Sequence, residues 1–395
     1  MANFRVSGTG CALGDFVYNH IDFSSSTFKK YQSKQAGDGG LEAGKLVFTQ
    51  ELERFSGKNF QEILLEISGD RIYDAFNIGG PAIVGLINTA QLLQNTDIEV
   101  CFYGARSNDE RGKAISRLIK DLPLNLENYR VLDGETPYTD VLSDPNFANG
   151  KGERTFVNNI ACAAEFDENY LDENFWNSDI IVFGATAIVP KLHNNLSNLL
   201  LKAKSNGSLT VVHTVYDFIN EKQHPEKPWP LGNTLESLAL IDLLVMDYEE
   251  SLRISGCSDI ISTQEFFIQN GCNAFLITHG AQPTYVYSSG KLFQPIDTTL
   301  PVCEWINDDF AHNPHLKGDT TGCGDNFVGG VVANIVSQLE SIATNFSLID
   351  ATILGTVCGG FACYYVGGTF FEKYSGEKSE KVNEMLEKYK LTNKK

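Results

Sequence analysis

Basic residues are scarce in this 395-residue chain: 31 Lys and Arg stand against 50 Asp and Glu, a formal charge of −19. So acidic a surface disfavours broad contact with nucleic acid or anionic membranes, because both need cations to displace counterions. No run approaches the roughly 18 apolar residues needed for a membrane span. Residues Met1 to Ser7 lack the basic stretch and apolar core of a secretory signal, so the cytoplasm is the expected compartment. The nine cysteines are scattered and include no Cys-x-x-Cys pair, which argues against a disulfide framework and a structural zinc site. No internal repeat or long low-complexity tract is evident. Charge on this scale does not forbid a phosphorylated ligand, since backbone amides and a metal set the local field at a site.

What the chain does have is a recurrence of short apolar runs between helix-like segments: Leu132 to Leu142, Ile180 to Phe183, Leu209 to Val215, Leu240 to Met246 and Ala274 to Thr278. The alternation predicts an α/β fold with a largely parallel sheet, whose ligands sit where strands turn into helices. Two excursions interrupt the pattern. One carries the polar stretch Ser24 to Gly40 and the helix-like Glu51 to Glu66. The other, Asp144 to Arg154 between Thr139 to Leu142 and Thr155 to Asn158, reads as a long hairpin. The two can pair into a small sheet covering a site, or serve as surface decoration. Near the C-terminus, Val382, Met385, Leu386 and Tyr389 mark one face of a helix to which the sequence assigns no chemistry.

The informative stretch is Gly318 to Phe327, Gly-Asp-Thr-Thr-Gly-Cys-Gly-Asp-Asn-Phe. It runs into Phe327, Val331, Val332, Ile335, Val336 and Leu339 at helical spacing. A glycine-rich turn opening a helix brings backbone N–H groups and a favourable dipole to bear on an anion. Asp325 at its mouth adds a carboxylate able to take a proton from an incoming hydroxyl. The same aspartate also serves as a plain first-turn acid, so the motif alone leaves both readings open.

Asp319 to Asp325 resembles the second signature of the ribokinase/PfkB family of sugar and nucleoside kinases, with Cys323 where alanine is usual. The resemblance covers nearly the whole chain. Gly10 to Asp15 is similar to the family's first strand, Asn77-Ile78-Gly79-Gly80 to its first glycine signature, and Gly152 to Phe156 to its lid hairpin. Gly104, Asp109 and Gly112 keep the family spacing.

The resemblance implies a ribokinase-like three-layer α/β/α sandwich over residues 1–395, with a small β-sheet lid built from insertions at about 16–75 and 136–160. It implies ATP and Mg2+, a monovalent cation such as K+, and a homodimer through the lid as one arrangement known among relatives. Asp325 would be the base, with Gly322, Cys323 and Gly324 as anion hole. Asp15, Asn77, Gly79 and Gly80 would face the acceptor. Asp247, Glu250, Thr278, Gly280, Gly324, Cys358 and Gly359 would lie along the nucleotide, with Glu250 organising the metal. Asp247 replaces an asparagine, Pro283 a glycine and Cys358 a polar residue, while Ile83 or Val84 stands where relatives carry a pocket asparagine.

The implied activity is phosphorylation of a hydroxyl on a small sugar or sugar derivative, with a nucleoside as the alternative acceptor. A sugar-binding regulator without catalysis would lack the aspartate that Asp325 supplies. A dinucleotide-binding oxidoreductase is not supported, because Gly8, Gly10 and Gly14 miss the required spacing.

Overall fold

The computed structural model describes residues 4–35, 37–69, 71–150, 152–341 and 346–393. Its strands are β1 (Phe4–Gly10), β2 (Leu13–Tyr18), β3 (Leu46–Phe48), β4 (Ala75–Gly79), β5 (Ile98–Arg106), β6 (Tyr129–Val131), β7 (Tyr138–Asp144), β8 (Glu153–Asn159), β9 (Ile180–Gly184), β10 (Leu209–His213), β11 (Leu243–Asp247), β12 (Ala274–His279), β13 (Gln282–Ser288) and β14 (Ile296–Leu300). Nine of them form one sheet in the order β14-β13-β12-β11-β10-β9-β1-β5-β6. It is parallel from β6 to β12, and β13 and β14 add an antiparallel edge.

Both faces of this sheet are buried, which is why its strands read as continuous apolar runs. Ile180, Val182, Leu243 and Val245 pack on one side with the helices Pro81–Leu93 and Cys323–Glu340. Ile181, Phe183, Leu244 and Met246 pack on the other with Leu196–Ser205 and Ile260–Gln269. The result is three layers, helix on sheet on helix.

A second sheet, ordered β3-β8-β7-β2-β4, has its own core of Phe16, Phe28, Leu52, Phe60, Leu142 and Val157. Its strands come from both excursions of the sequence. Arg111 ties it to the larger body: the guanidinium makes a two-pronged hydrogen bond to Asp140 of β7 at 3.0 and 2.8 Å and lies 3.7 Å from the Tyr138 ring centre.

Two sequence expectations need correction. Leu132 to Leu142 is not one strand: β6 has already ended at Val131, residues 132–137 are loop closing on Pro137, and only β7, from Tyr138, is extended. Glu51 to Glu66 is not one helix but two, Thr49–Ser56 and Phe60–Ser68, because Gly57 turns left-handed (φ 72°) and Asn59 caps the second.

Candidate active site

The helix Cys323–Glu340 begins inside the glycine-rich motif. Gly322 is its N-cap at φ 74°, and a Cβ there would lie 2.5 Å from the Cα of Gly368, so only glycine fits. No side chain caps this helix start; the Cys323 N–H makes only a long turn bond to the Thr320 carbonyl at 3.3 Å, and that of Asn326 turns back to Gly322 at 2.8 Å. At Gly324 a Cβ would meet no heavy atom within 4 Å; the turn opens onto free space there. An open approach and a helix dipole are the features an anion cradle needs.

Asp325 follows directly. Burial pushes its carboxyl up to about 7, although one side of the residue stays partly exposed. Asp15 on β2 also rises to about 7, first through burial and then through the negative charges of Asp325 and Asp319, with Arg154 opposing. Gly79 closes over Asp15 so tightly that a Cβ would sit 2.2 Å from Asp15 Oδ2, and Gly80 (φ 96°) begins the helix Pro81–Leu93.

Strand register carries the site outward from Asp15. Across the small sheet Asn77 opposes Asp15, Asp15 opposes Thr139, and Thr139 opposes Asn158. Directly paired residues share one face, so these four polar side chains form a row. Asn158 Nδ2 donates to Thr139 Oγ1 at 2.9 Å. Asn77 Nδ2 donates to the Val366 carbonyl at 3.0 Å, joining the row to the loop beside Gly368. Arg154, also on β8, reaches Asp319 in the glycine motif. The small sheet therefore touches the glycine-rich segment at Asp319.

Asn326 was not visible as a site residue, yet it fastens the turn. Its Nδ2 donates to the Gly322 and Gly368 carbonyls, both at 2.8 Å, and its Oδ1 accepts from Lys378 Nζ at 2.8 Å. Lys378, from the C-terminal helix Glu377–Thr392, also donates to Gln91 Oε1 at 3.1 Å, and burial pulls its ammonium down to about 8. Apolar periodicity found that helix but passed over its one buried cation.

On the far side, Asp247 ends β11 beside Thr278 of β12 and caps the helix Tyr248–Ser255 reciprocally with Glu250. Glu250 is only 8% exposed and accepts from Thr214 Oγ1 at 2.5 Å. Burial, then Asp247, raise its carboxyl to about 7, and the charge of Asp325 adds to this, so Glu250 and Asp325 share one electrostatic neighbourhood. Among the described residues, no three or more His, Cys, Asp or Glu are grouped to hold a metal by themselves. Gly280 (φ 56°) turns the β12–β13 hairpin, and Pro283 lies next to the register shift in that pair, where a missing N–H is tolerated.

The departures resolve unequally. Cys358 does not line an opening: it is fully buried, its sulfur 2.8 Å from where a Gly330 Cβ would be, so the adenine contact expected of its side chain is withdrawn, while neighbouring Gly359 stays half-buried. Ile83 and Val84 are 0% and 1% exposed, sealed in the core rather than walling a pocket. The aliphatic replacement is absorbed by packing and says nothing of acceptor polarity.

A three-layer α/β/α body with a second, smaller sheet gives this chain a ribokinase-like fold. Residues 76–373 match the family model described as pfkB family carbohydrate kinase, and the chain belongs to that family. It is 24% identical over 269 residues to the probable fructokinase-6, chloroplastic, of Arabidopsis thaliana, covering 65% of this chain and 63% of that one. The fold is shared with adenosine kinase from Schistosoma mansoni in complex with 2-fluoroadenosine (TM-score 0.68, 14% identity, 93% of this chain and 97% of that one). It is shared also with the Arabidopsis thaliana ribokinase complexed with ribose and ATP (TM-score 0.61, 15% identity, 98% and 99%). A putative ribokinase II from E. coli in complex with ATP and Mg2+ matches at TM-score 0.62 and 15% identity over 99% and 100%. No helix among the described residues is long and apolar enough to cross a membrane.

Proposed function

We propose that this protein transfers the terminal phosphoryl group of ATP to a hydroxyl of a small polyhydroxylated acceptor, a sugar or sugar derivative. The observation that carries this reading is Asp325, a carboxyl held near neutrality at the open, uncapped N-terminus of Cys323–Glu340. As base it accepts the acceptor's proton while the amides of Gly322, Cys323 and Gly324 bind the moving phosphoryl oxygens. Glu250 would organise Mg2+, with Asp247 along the nucleotide, and the ion would supply charge neutralisation at the phosphates. The transition state is largely dissociative, so positioning and charge neutralisation supply most of the rate.

The row Asn77, Asp15, Thr139 and Asn158 supports a hydroxyl-rich acceptor. Its amides, hydroxyl and carboxylate offer both donors and acceptors to such a molecule. In this reading the small sheet is the lid, joined to the cradle by Arg154 and Asp319, and excludes water during transfer.

A nucleoside acceptor is the second reading. It draws on a groove of about 1270 Å³ walled by Phe55, Phe156, Tyr216 and Phe218, aromatic faces suited to a base. Phe156 shares with Arg154 the less buried face of β8. ADP release against a panel of sugars, sugar acids and nucleosides separates the two: turnover confined to nucleosides reverses the order proposed here.

A further inference from the structure

Cys323 and Cys363 come from different elements, one opening the helix Cys323–Glu340 and the other closing Leu348–Ala362, yet their sulfurs stand 3.5 Å apart. Both are partly exposed, whereas Cys11, Cys101, Cys162, Cys272, Cys303 and Cys358 are buried. We propose that the pair is a dithiol modification site: exchange with a low-molecular-weight disulfide joins Cys323 to Cys363, and the cross-link disables the glycine-rich turn. The second half of this proposal rests on the reading of Gly322 to Gly324 as the anion cradle.

The two segments are already docked. Gly318 N–H donates to the Cys363 carbonyl at 2.9 Å, and Asp319 N–H to that of Tyr365 at 3.1 Å. Bond formation therefore asks for a contraction from 3.5 Å to about 2.05 Å between sulfurs, with no partner to be brought from elsewhere. A hydrogen bond from the Cys323 thiol draws Cys363 down to about 7, against burial and the Asp319 charge and with help from Lys317, so Cys363 is the thiol of the pair that ionises first.

In the first step the Cys363 thiolate attacks one sulfur of the small disulfide, breaking its S–S bond and releasing one small thiol. In the second, Cys323 loses its proton and attacks the Cys363 sulfur of the mixed disulfide, releasing the other small thiol. The two cysteines lose two electrons and two protons, and the small disulfide gains them as two thiols.

Contraction draws the first residue of the helix toward Leu348–Ala362. Displacing catalytic geometry by about 1 Å can cost around a hundredfold in rate; with the shift shared between both residues, a loss of about tenfold or more is expected.

The test treats the full chain with 2-hydroxyethyl disulfide. Peptide mapping is expected to find Cys323 joined to Cys363, ADP release to fall about tenfold or more, and dithiothreitol to restore it. Cys363→Ser is expected to keep the basal rate and ignore the reagent, while Cys257→Ser responds as the native chain does. Mapping needs no turnover, so its result stands apart from the kinase reading. A map without the Cys323–Cys363 link, equal inhibition of Cys363→Ser, or full activity in the cross-linked protein overturns the proposal.

Discussion

Arg154 Nη2, on the small sheet, lies 3.4 Å from Asp319 Oδ2, whose other oxygen accepts the N–H groups of Thr321 at 3.0 Å and Gly367 at 3.2 Å. One carboxylate thus connects the covering sheet, the glycine-rich turn and the loop behind it. The guanidinium is 40% exposed, so the pair itself contributes at most ~1 kcal/mol to stability. Arg154→Ala is expected to leave the unfolding midpoint nearly unchanged and to lower acceptor kcat/KM about fivefold, read by steady-state kinetics beside a melting curve.

Gly324 separates cradle from scaffold. Since its Cβ position is empty, Gly324→Ala should fold as well as the native chain or slightly better, as alanine favours a helix by about 0.5–1 kcal/mol. The methyl group would occupy the approach to the amides, and kcat is expected to fall about a hundredfold, comparable to losing one oxyanion donor. Unchanged kcat would remove Gly324 from the cradle.

Asn158→Ala tests the polar row. Loss of one hydrogen bond of about 1 kcal/mol should raise the acceptor KM roughly fivefold while leaving the ATP KM in place. A rise confined to ATP would contradict an acceptor role for this face of the small sheet.

Lys378 offers a pH test. Its folded-state pKa is lowered to about 8 from 10.5, so between these values the unfolded chain binds the extra proton more tightly and stability rises with pH. The unfolding free energy of the native chain minus that of Lys378→Met is therefore expected to move in the native chain's favour from pH 8 to 10, in denaturant titrations. A flat difference would mean that the ammonium carries no burial cost.

The sheet was legible because strands buried on both faces are apolar without interruption, as Ile180 to Phe183 shows, and the motif at Gly318 to Phe327 marked the start of a helix because its glycines allow the turn that opens one. What stayed hidden depends on contacts between distant residues. Lys378 reads as one more surface lysine until helix packing sets it against Asn326, 52 positions away. Cys363 reads as another scattered thiol until its helix ends beside Cys323. Cys358 misled for the converse reason: a position in sequence said nothing of which way the side chain turned. Thr139 and Asn158 depend on strand register, which hairpin patterning does not fix.

The most direct measurement compares acceptor-dependent ADP release, with ATP and Mg2+, for the native chain and Asp325→Asn across pH. The native rate is expected to rise as pH passes about 7, where Asp325 ionises, and to fall by about 10²–10⁴ in the variant. The variant should melt at the same temperature or higher, since a desolvated carboxylate is lost. Equal rates in two folded proteins would contradict Asp325 as the base.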